Sequence, residues 1–171
     1  HDADIVTFHT PLTHTGLDAT YHLADRHFIS GLENCKLLIN SSRGEVVDNA
    51  ALVELKHTST LVDVVVDCWE NEPELNPDLL KMAYIATPHI AGYSAEGKMR
   101  ATSMLLESLA EHFGWALDIP QVDAPLKGAE EVSLAAIMSS YNPLIDTEAL
   151  KSSPESFESL RNNYALRNEV K

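Results

Sequence analysis

The first two thirds of the chain alternate short apolar runs with segments whose apolar residues recur at helical spacing. "DIVTFHT" (4–10) is a β-branched run ended by Pro11, and "KLLIN" (36–40) is continuously apolar. "TLVDVVVDCW" (60–69) is Val-rich with no clean alternation, the pattern of a strand covered on both faces. "YIAT" (84–87) makes a fourth, shorter strand. Between these runs, "ADRHFISGLENC" places Phe28, Ile29 and Leu32 on one helical face and closes near Gly31. "VDNAALVELK" (47–56) begins with the N-cap candidate Asp48, and "PDLLKM" reads as one helical turn.

Strands and helices alternating through short loops predict a parallel sheet flanked by helices. Ligands of such sheets bind beyond the carboxyl ends of the strands. That rule selects Thr10-Pro11, Ser41 to Gly44, Asp67 to Pro73, and Thr87 to Tyr93. A longer helix is predicted over 94–113, with Ser94 as its cap and Glu96 at the positive end of its dipole. Met99, Leu106, Leu109 and Phe113 recur on it at helical spacing and are expected in the core. Beyond "HFGWALDIPQVDAP" the chain becomes more polar, with one amphipathic stretch at Phe157, Leu160, Tyr164 and Leu166. Residues 1–110 are therefore read as one domain and 111–171 as a separate, smaller unit.

Charge narrows the partners. Against 12 Lys and Arg stand 26 Asp and Glu, a formal charge of −14. Binding to a phosphate backbone or an anionic membrane surface runs on basic excess, so neither nucleic acid nor membrane is expected as a partner. No stretch approaches the ~20 apolar residues that span a bilayer. Cys35 and Cys68 both sit inside apolar runs, as free buried thiols do, which suits a reducing cytosol. The opening "HDADIVTFHTP" runs almost directly into a strand, as if the chain were entered in mid-domain.

Three polar residues follow predicted strands: Arg43 in "INSSRGEVVD", Glu72 in "DCWENEPEL" and His89 in "TPHIAG". Each alone has an ordinary explanation. Arg43 would pair at the surface with Glu45 or Asp48, Glu72 would be one acid among Glu70 and Glu74, and His89 would sit in a strand-to-helix turn. Together they form the set that oxidation of a 2-hydroxy acid requires. An arginine fork holds the carboxylate, a histidine takes the hydroxyl proton, and a carboxylate fixes that histidine's tautomer. Gly44 after Arg43 is expected to allow a sharp turn. Other constellations fail: His9/His14 and His22/His27 are five apart, off the spacing of helical zinc ligands, and no metal site is expected. There is no nucleophile elbow, no P-loop and no G-x-G-x-x-G in the sequence.

"DIVTFHTPLT", "LINSSRGEVVDNAAL", "VVVDCWENEPELNPDLL" and "IATPHIAGYSAEG" resemble, in order, successive signatures of the D-isomer-specific 2-hydroxyacid dehydrogenases. The resemblance spans most of residues 4 to 100. It implies an α/β fold: a partial Rossmann-like, doubly wound parallel sheet, followed by a smaller carboxyl-terminal α+β dimerisation unit. It implies NAD as cofactor, with Arg43, Glu72 and His89 catalytic. Thr10, Ser41, Ser42, Arg43, Asp67 and Gly92 would line the cofactor site, and Arg43 and Tyr93 would contact substrate. "HIAGYSAEGK" and the tail "ESFESLRNNYALRNEV" are similar to a branch that acts on a phosphorylated 2-hydroxy acid and forms homodimers. The glycine-rich phosphate loop, the ribose-reading acid and the amino-terminal substrate half of that family are missing; Ser42 and Cys68 are smaller departures. Other family members, and a non-catalytic dimeric relative, stay open as alternatives at this level.

Overall fold

The computed structural model describes residues 2–56, 63–119, 133–135, 137 and 141–168. Four strands, β1 (Ile5–Phe8), β2 (Leu37–Asn40), β3 (Asp63–Val66) and β4 (Ile85–Ala86), form one parallel sheet in the order β1-β2-β3-β4. Leu38 is in register with Val64, and Val66 with Ala86. These residues are all buried, while their strand neighbours Ile39 and Val65 are half-buried. One face of the sheet is thus fully covered and the other only partly.

Helix α1 (Arg26–Ser30) connects β1 to β2, α2 (Asn49–Lys56) connects β2 to β3, and α3 (Pro77–Met82) connects β3 to β4. Because strand order equals chain order, right-handed crossovers carry all three helices to the same face, and α2 packs between α1 and α3. The four strands make up a single wing of a doubly wound sheet. Each helix begins on a side-chain cap that satisfies orphan amides. Asp25 accepts from Phe28 N, Asp48 from Ala51 N, and Asn76 from both Asp78 N and Leu79 N.

The chain forms two compact units, one of residues 1–91 with 143–163, the other of residues 92–142 with 164–171. The packing therefore places part of the expected carboxyl-terminal unit with the sheet. Helix α5 (Pro143–Ser152) lies against β4, and α6 (Phe157–Asn162) follows it. Leu150 and Phe157 enter the same buried cluster as Ile29, Leu38, Leu52, Val64 and Leu79. Thr147 Oγ1 accepts the outward-facing Ala86 N–H of β4 at 3.1 Å, so the edge amide is paired rather than left open. The Lys151 ammonium donates to Ala83 O at 2.5 Å and to Lys81 O at 3.3 Å, capping the end of α3. Burial lowers its pKa from the ordinary value.

The second unit is built on α4 (Ala95–Phe113), capped by Ser94 Oγ accepting from Gly97 N and ended by Gly114 at φ 66. The expected core residues of this helix are not core. Met99, Leu109 and Phe113 are exposed, Leu106 is half-buried, and no residue of α4 is buried. Helical periodicity declares an apolar face but not what covers it.

Candidate active site

The carboxyl end of β3 organises the site. Asp67 is buried, and its carboxylate accepts from Thr87 Oγ1 at 2.6 Å, Ile90 N at 2.8 Å and Ala91 N at 3.1 Å. Its main-chain oxygen accepts from His89 N at 2.9 Å. The turn after β4 is therefore wrapped around one aspartate. That turn holds His89 at φ 55, a left-handed conformation that costs a non-glycine residue on the order of 1 kcal/mol. The bonds from Asp67 offset the cost and fix where the imidazole points.

His89 Nδ1 lies 2.9 Å from Glu72 Oε2 and 3.2 Å from Oε1, with both side chains about one-fifth exposed. A carboxylate only accepts, so Nδ1 carries the proton and Nε2 is left as the acceptor. Glu72 is oriented in turn, since its Oε1 also accepts from Trp69 N at 2.8 Å. The Arg161 guanidinium of α6 stands 3.9 Å from Glu72 Oε2, a neighbour that no short-range pattern in the sequence announces.

Arg43 reaches this region from the end of β2. Asn40 steers the turn: its Oδ1 accepts from Ser42 N and Ser42 Oγ, and its amide donates to Arg43 O at 2.9 Å. One guanidinium N–H of Arg43 donates to Ser42 O at 2.6 Å, leaving the rest of the five-donor fork for another acceptor. Gly44 matters for a reason other than the expected sharp turn. A Cβ there would lie 1.9 Å from Trp69 O, so the Arg43 turn is docked directly on the main chain of the Glu72 loop. The Cys68 thiol records the shared neighbourhood. Burial pushes its pKa up, Asp67 and Glu72 add to the rise, and Arg43 opposes it. Both cysteines are free and buried, as expected.

The residues expected to line the cofactor site divide into two groups. Thr10 Oγ1, past the end of β1, is buried without a hydrogen-bond partner, and an outside ligand would complete it. Ser42 and Asp67 spend their side-chain oxygens inside the site, holding the turns that carry Arg43 and His89. Ser41 is half-buried beside them. Gly92 adopts φ 80, with open space where a Cβ would stand. Gly92 and Tyr93 belong to the second unit, where Lys98 Nζ lies 3.8 Å over the Tyr93 ring and Tyr164 meets that ring edge-on. An orphan hydroxyl and an imidazole with a free acceptor, both past strand ends, fit a nicotinamide cofactor.

Comparison with known proteins gives the family. Residues 1–91 match the family model described as D-isomer specific 2-hydroxyacid dehydrogenase, NAD binding domain. The chain is 45% identical over 174 residues to an erythronate-4-phosphate dehydrogenase of Bacteroides thetaiotaomicron, covering 99% of this chain and 50% of that protein. It is 38% identical to one from Porphyromonas gingivalis, covering 98% and 48%. The chain thus spans about half the length of the curated relatives it matches. Among solved structures, a D-lactate dehydrogenase from Aquifex aeolicus complexed with NAD and lactic acid gives a TM-score of 0.54 at 26% identity, over 66% of this chain and 38% of that one. A formate dehydrogenase from Staphylococcus aureus in complex with NAD gives 0.52 at 26% identity, over 68% and 35%. With a matching family model, ordered motifs and a parallel sheet carrying its polar residues past the strand ends, this chain belongs to the D-isomer specific 2-hydroxyacid dehydrogenase family.

Proposed function

We propose that this chain serves the NAD-dependent oxidation of 4-phospho-D-erythronate to 2-oxo-3-hydroxy-4-phosphobutanoate, a step of pyridoxal 5'-phosphate biosynthesis. The observation that carries the proposal is the His89–Glu72 pair, held at the carboxyl end of the sheet with the Arg43 turn docked on its loop. Arg43 binds the substrate carboxylate with the open part of its fork. Nε2 of His89 takes the proton of the 2-hydroxyl, while Glu72 stabilises the imidazolium that forms. Bound NAD supplies the acceptor for the carbon-bound hydrogen, which leaves with its electron pair. Thr10, Ser41, Ser42, Asp67 and Gly92 shape the cofactor site. Tyr93 contacts the substrate.

The choice of substrate rests on the relatives named erythronate-4-phosphate dehydrogenase. NADH formation by the protein expressed from its complete reading frame, measured on a panel of 2-hydroxy acids, tests it. Preference for the phosphorylated four-carbon acid is expected; preference for a three-carbon or unphosphorylated acid would overturn it. Residues 1–171 alone are expected not to turn over, because the glycine-rich loop is not among them. The protein is further proposed to be a cytoplasmic homodimer. Two free buried thiols and an exposed apolar face on α4 support that reading. Among the described residues, no helix is long and apolar enough to cross a membrane.

A further inference from the structure

His22, Asp48 and Glu70 form a cluster outside the pair just described. His22 sits at φ 50, with its N–H donating to Glu45 O at 2.7 Å. Its Nε2 lies 2.6 Å from Glu70 Oε1 and its Nδ1 lies 3.8 Å from Asp48 Oδ2. All three side chains are half-buried: His22 is 28% exposed, Asp48 26% and Glu70 16%. Each carboxylate has its other oxygen tied to the first turn of α2. Glu70 Oε2 accepts from Asn49 N at 2.9 Å, and Asp48 Oδ1 accepts from Ala51 N at 2.9 Å. Tyr21 stacks on the imidazole with ring centroids 4.1 Å apart. One donor atom from each residue lies within 4.8 Å of the others, close enough to suggest a divalent cation. The carboxylates, however, face opposite ring nitrogens, and Nε2 is already closed on Glu70 at hydrogen-bond distance. The cluster is a clamp on an imidazole rather than a cup for an ion.

What the clamp holds is the loop of Glu72. Glu70 lies two residues before it, and the neighbouring Trp69 N–H orients the Glu72 carboxylate that holds His89 Nδ1. We propose that His22 is a positioning residue for the Glu72–His89 pair: by holding Glu70 Oε1 it fixes the carboxylate whose other oxygen accepts from Asn49 N, and so braces the Trp69–Glu72 loop from the segment that precedes α1. The inference rests on Glu72 and His89 being the acid/base pair. A loop that keeps its Asn49 bonds but loses this brace lets Glu72 shift by about a fraction of an ångström to an ångström, enough to cost about 10-fold in turnover.

The test uses the protein expressed from its complete reading frame, with isotope-labelled histidine. The Nδ1 proton of His89, held by Glu72, gives a downfield ring resonance, identified by its loss in His89→Gln. His22→Ala is expected to broaden or abolish that resonance and to lower kcat about 10-fold, with KM for the cofactor unchanged. His22→Gln keeps one donor toward Glu70 and is expected to recover most of both. An unshifted, sharp His89 resonance in folded His22→Ala overturns the proposal, whatever the turnover. Should His22→Ala not fold, His22→Phe carries the same expectations, since it keeps a ring stacked on Tyr21 and removes the nitrogen facing Glu70. The ring proton is read without substrate. A mistaken reaction would therefore show as absent turnover in the unaltered protein and leave the resonance result standing.

Discussion

At the scale of single residues, the site depends on how a left-handed histidine is held. Asp67 grips the turn from below through three amides, and Glu72 grips the ring from the side. His89→Ala removes the proton acceptor while leaving both anchors in place. It is expected to lower kcat at least ~100-fold, the lower range for an acid/base group, with KM little changed. Steady-state kinetics on the complete protein read this directly, and unchanged turnover would refute the role of His89. Cys68 gives a second residue-level expectation. Its thiol is buried among Asp67 and Glu72, which raises its pKa in the folded state above the ordinary 9.0. A raised folded-state value means the contribution to stability is fully present below pH 9.0 and is lost as pH climbs above it, where only the unfolded chain ionises. Cys35 and Cys68 are both buried, so in the native chain they should resist a thiol reagent at neutral pH and react once urea unfolds it; the raised value of Cys68 makes the urea midpoint fall as pH rises above 9.0. Rapid labelling of native Cys68 would contradict this placement.

At the scale of elements, the strands and first helices were legible because local signals agreed with one another. The apolar runs 4–10, 36–40, 60–69 and 84–87 each hold a strand, and Asp48 and Ser94 announced the helices that follow them. β1 and β3 stop before their runs do, at Phe8 and Val66, since main-chain pairing gives way to the turns toward the site; residues 60–62 of the third run lie outside the described residues. What stayed hidden depends on contacts between distant segments. No spacing shows that Arg161 faces Glu72, that His22 meets Glu70, or that Thr147 closes the edge of β4. Gly44 shows the difference well. Its presence after Arg43 is plain in the sequence, but its purpose is set by Trp69, on another turn. With a Cβ only 1.9 Å from a carbonyl oxygen, Gly44→Ala must push two main-chain segments apart. It is expected to destabilise the fold by roughly 3 kcal/mol, the upper range for overpacking, and to separate Arg43 from the Glu72 loop. Urea denaturation measures the first effect; a loss of activity in protein that still folds measures the second. A near-neutral Gly44→Ala would show that the two turns are not in contact.

At the scale of the whole molecule, the most informative surface is the one that sequence periodicity assigned to a core. Of the residues so assigned, Met99, Leu109 and Phe113 are exposed, and Leu105, which the periodicity did not single out, is exposed one turn before Leu109; Trp115, just past the helix, stacks on Phe113 with ring centroids 4.7 Å apart. Contiguous apolar area of this kind marks an interaction surface on a folded protein. A second copy of the chain is the occupant proposed here, in keeping with the homodimer expected from the tail. If so, burying these side chains drives association, and a charge placed among them must be desolvated without a partner. Leu105→Glu together with Leu109→Glu is therefore expected to convert a dimer into a monomer at micromolar concentration, with the far-ultraviolet dichroism of the helices retained. Sedimentation velocity on the complete protein, unaltered and doubly substituted, distinguishes the outcomes. A monomeric unaltered protein would sink the dimer itself. A dimer indifferent to both glutamates would keep the assembly but remove α4 from its interface, leaving the carboxyl-terminal tail as the segment that joins the two copies.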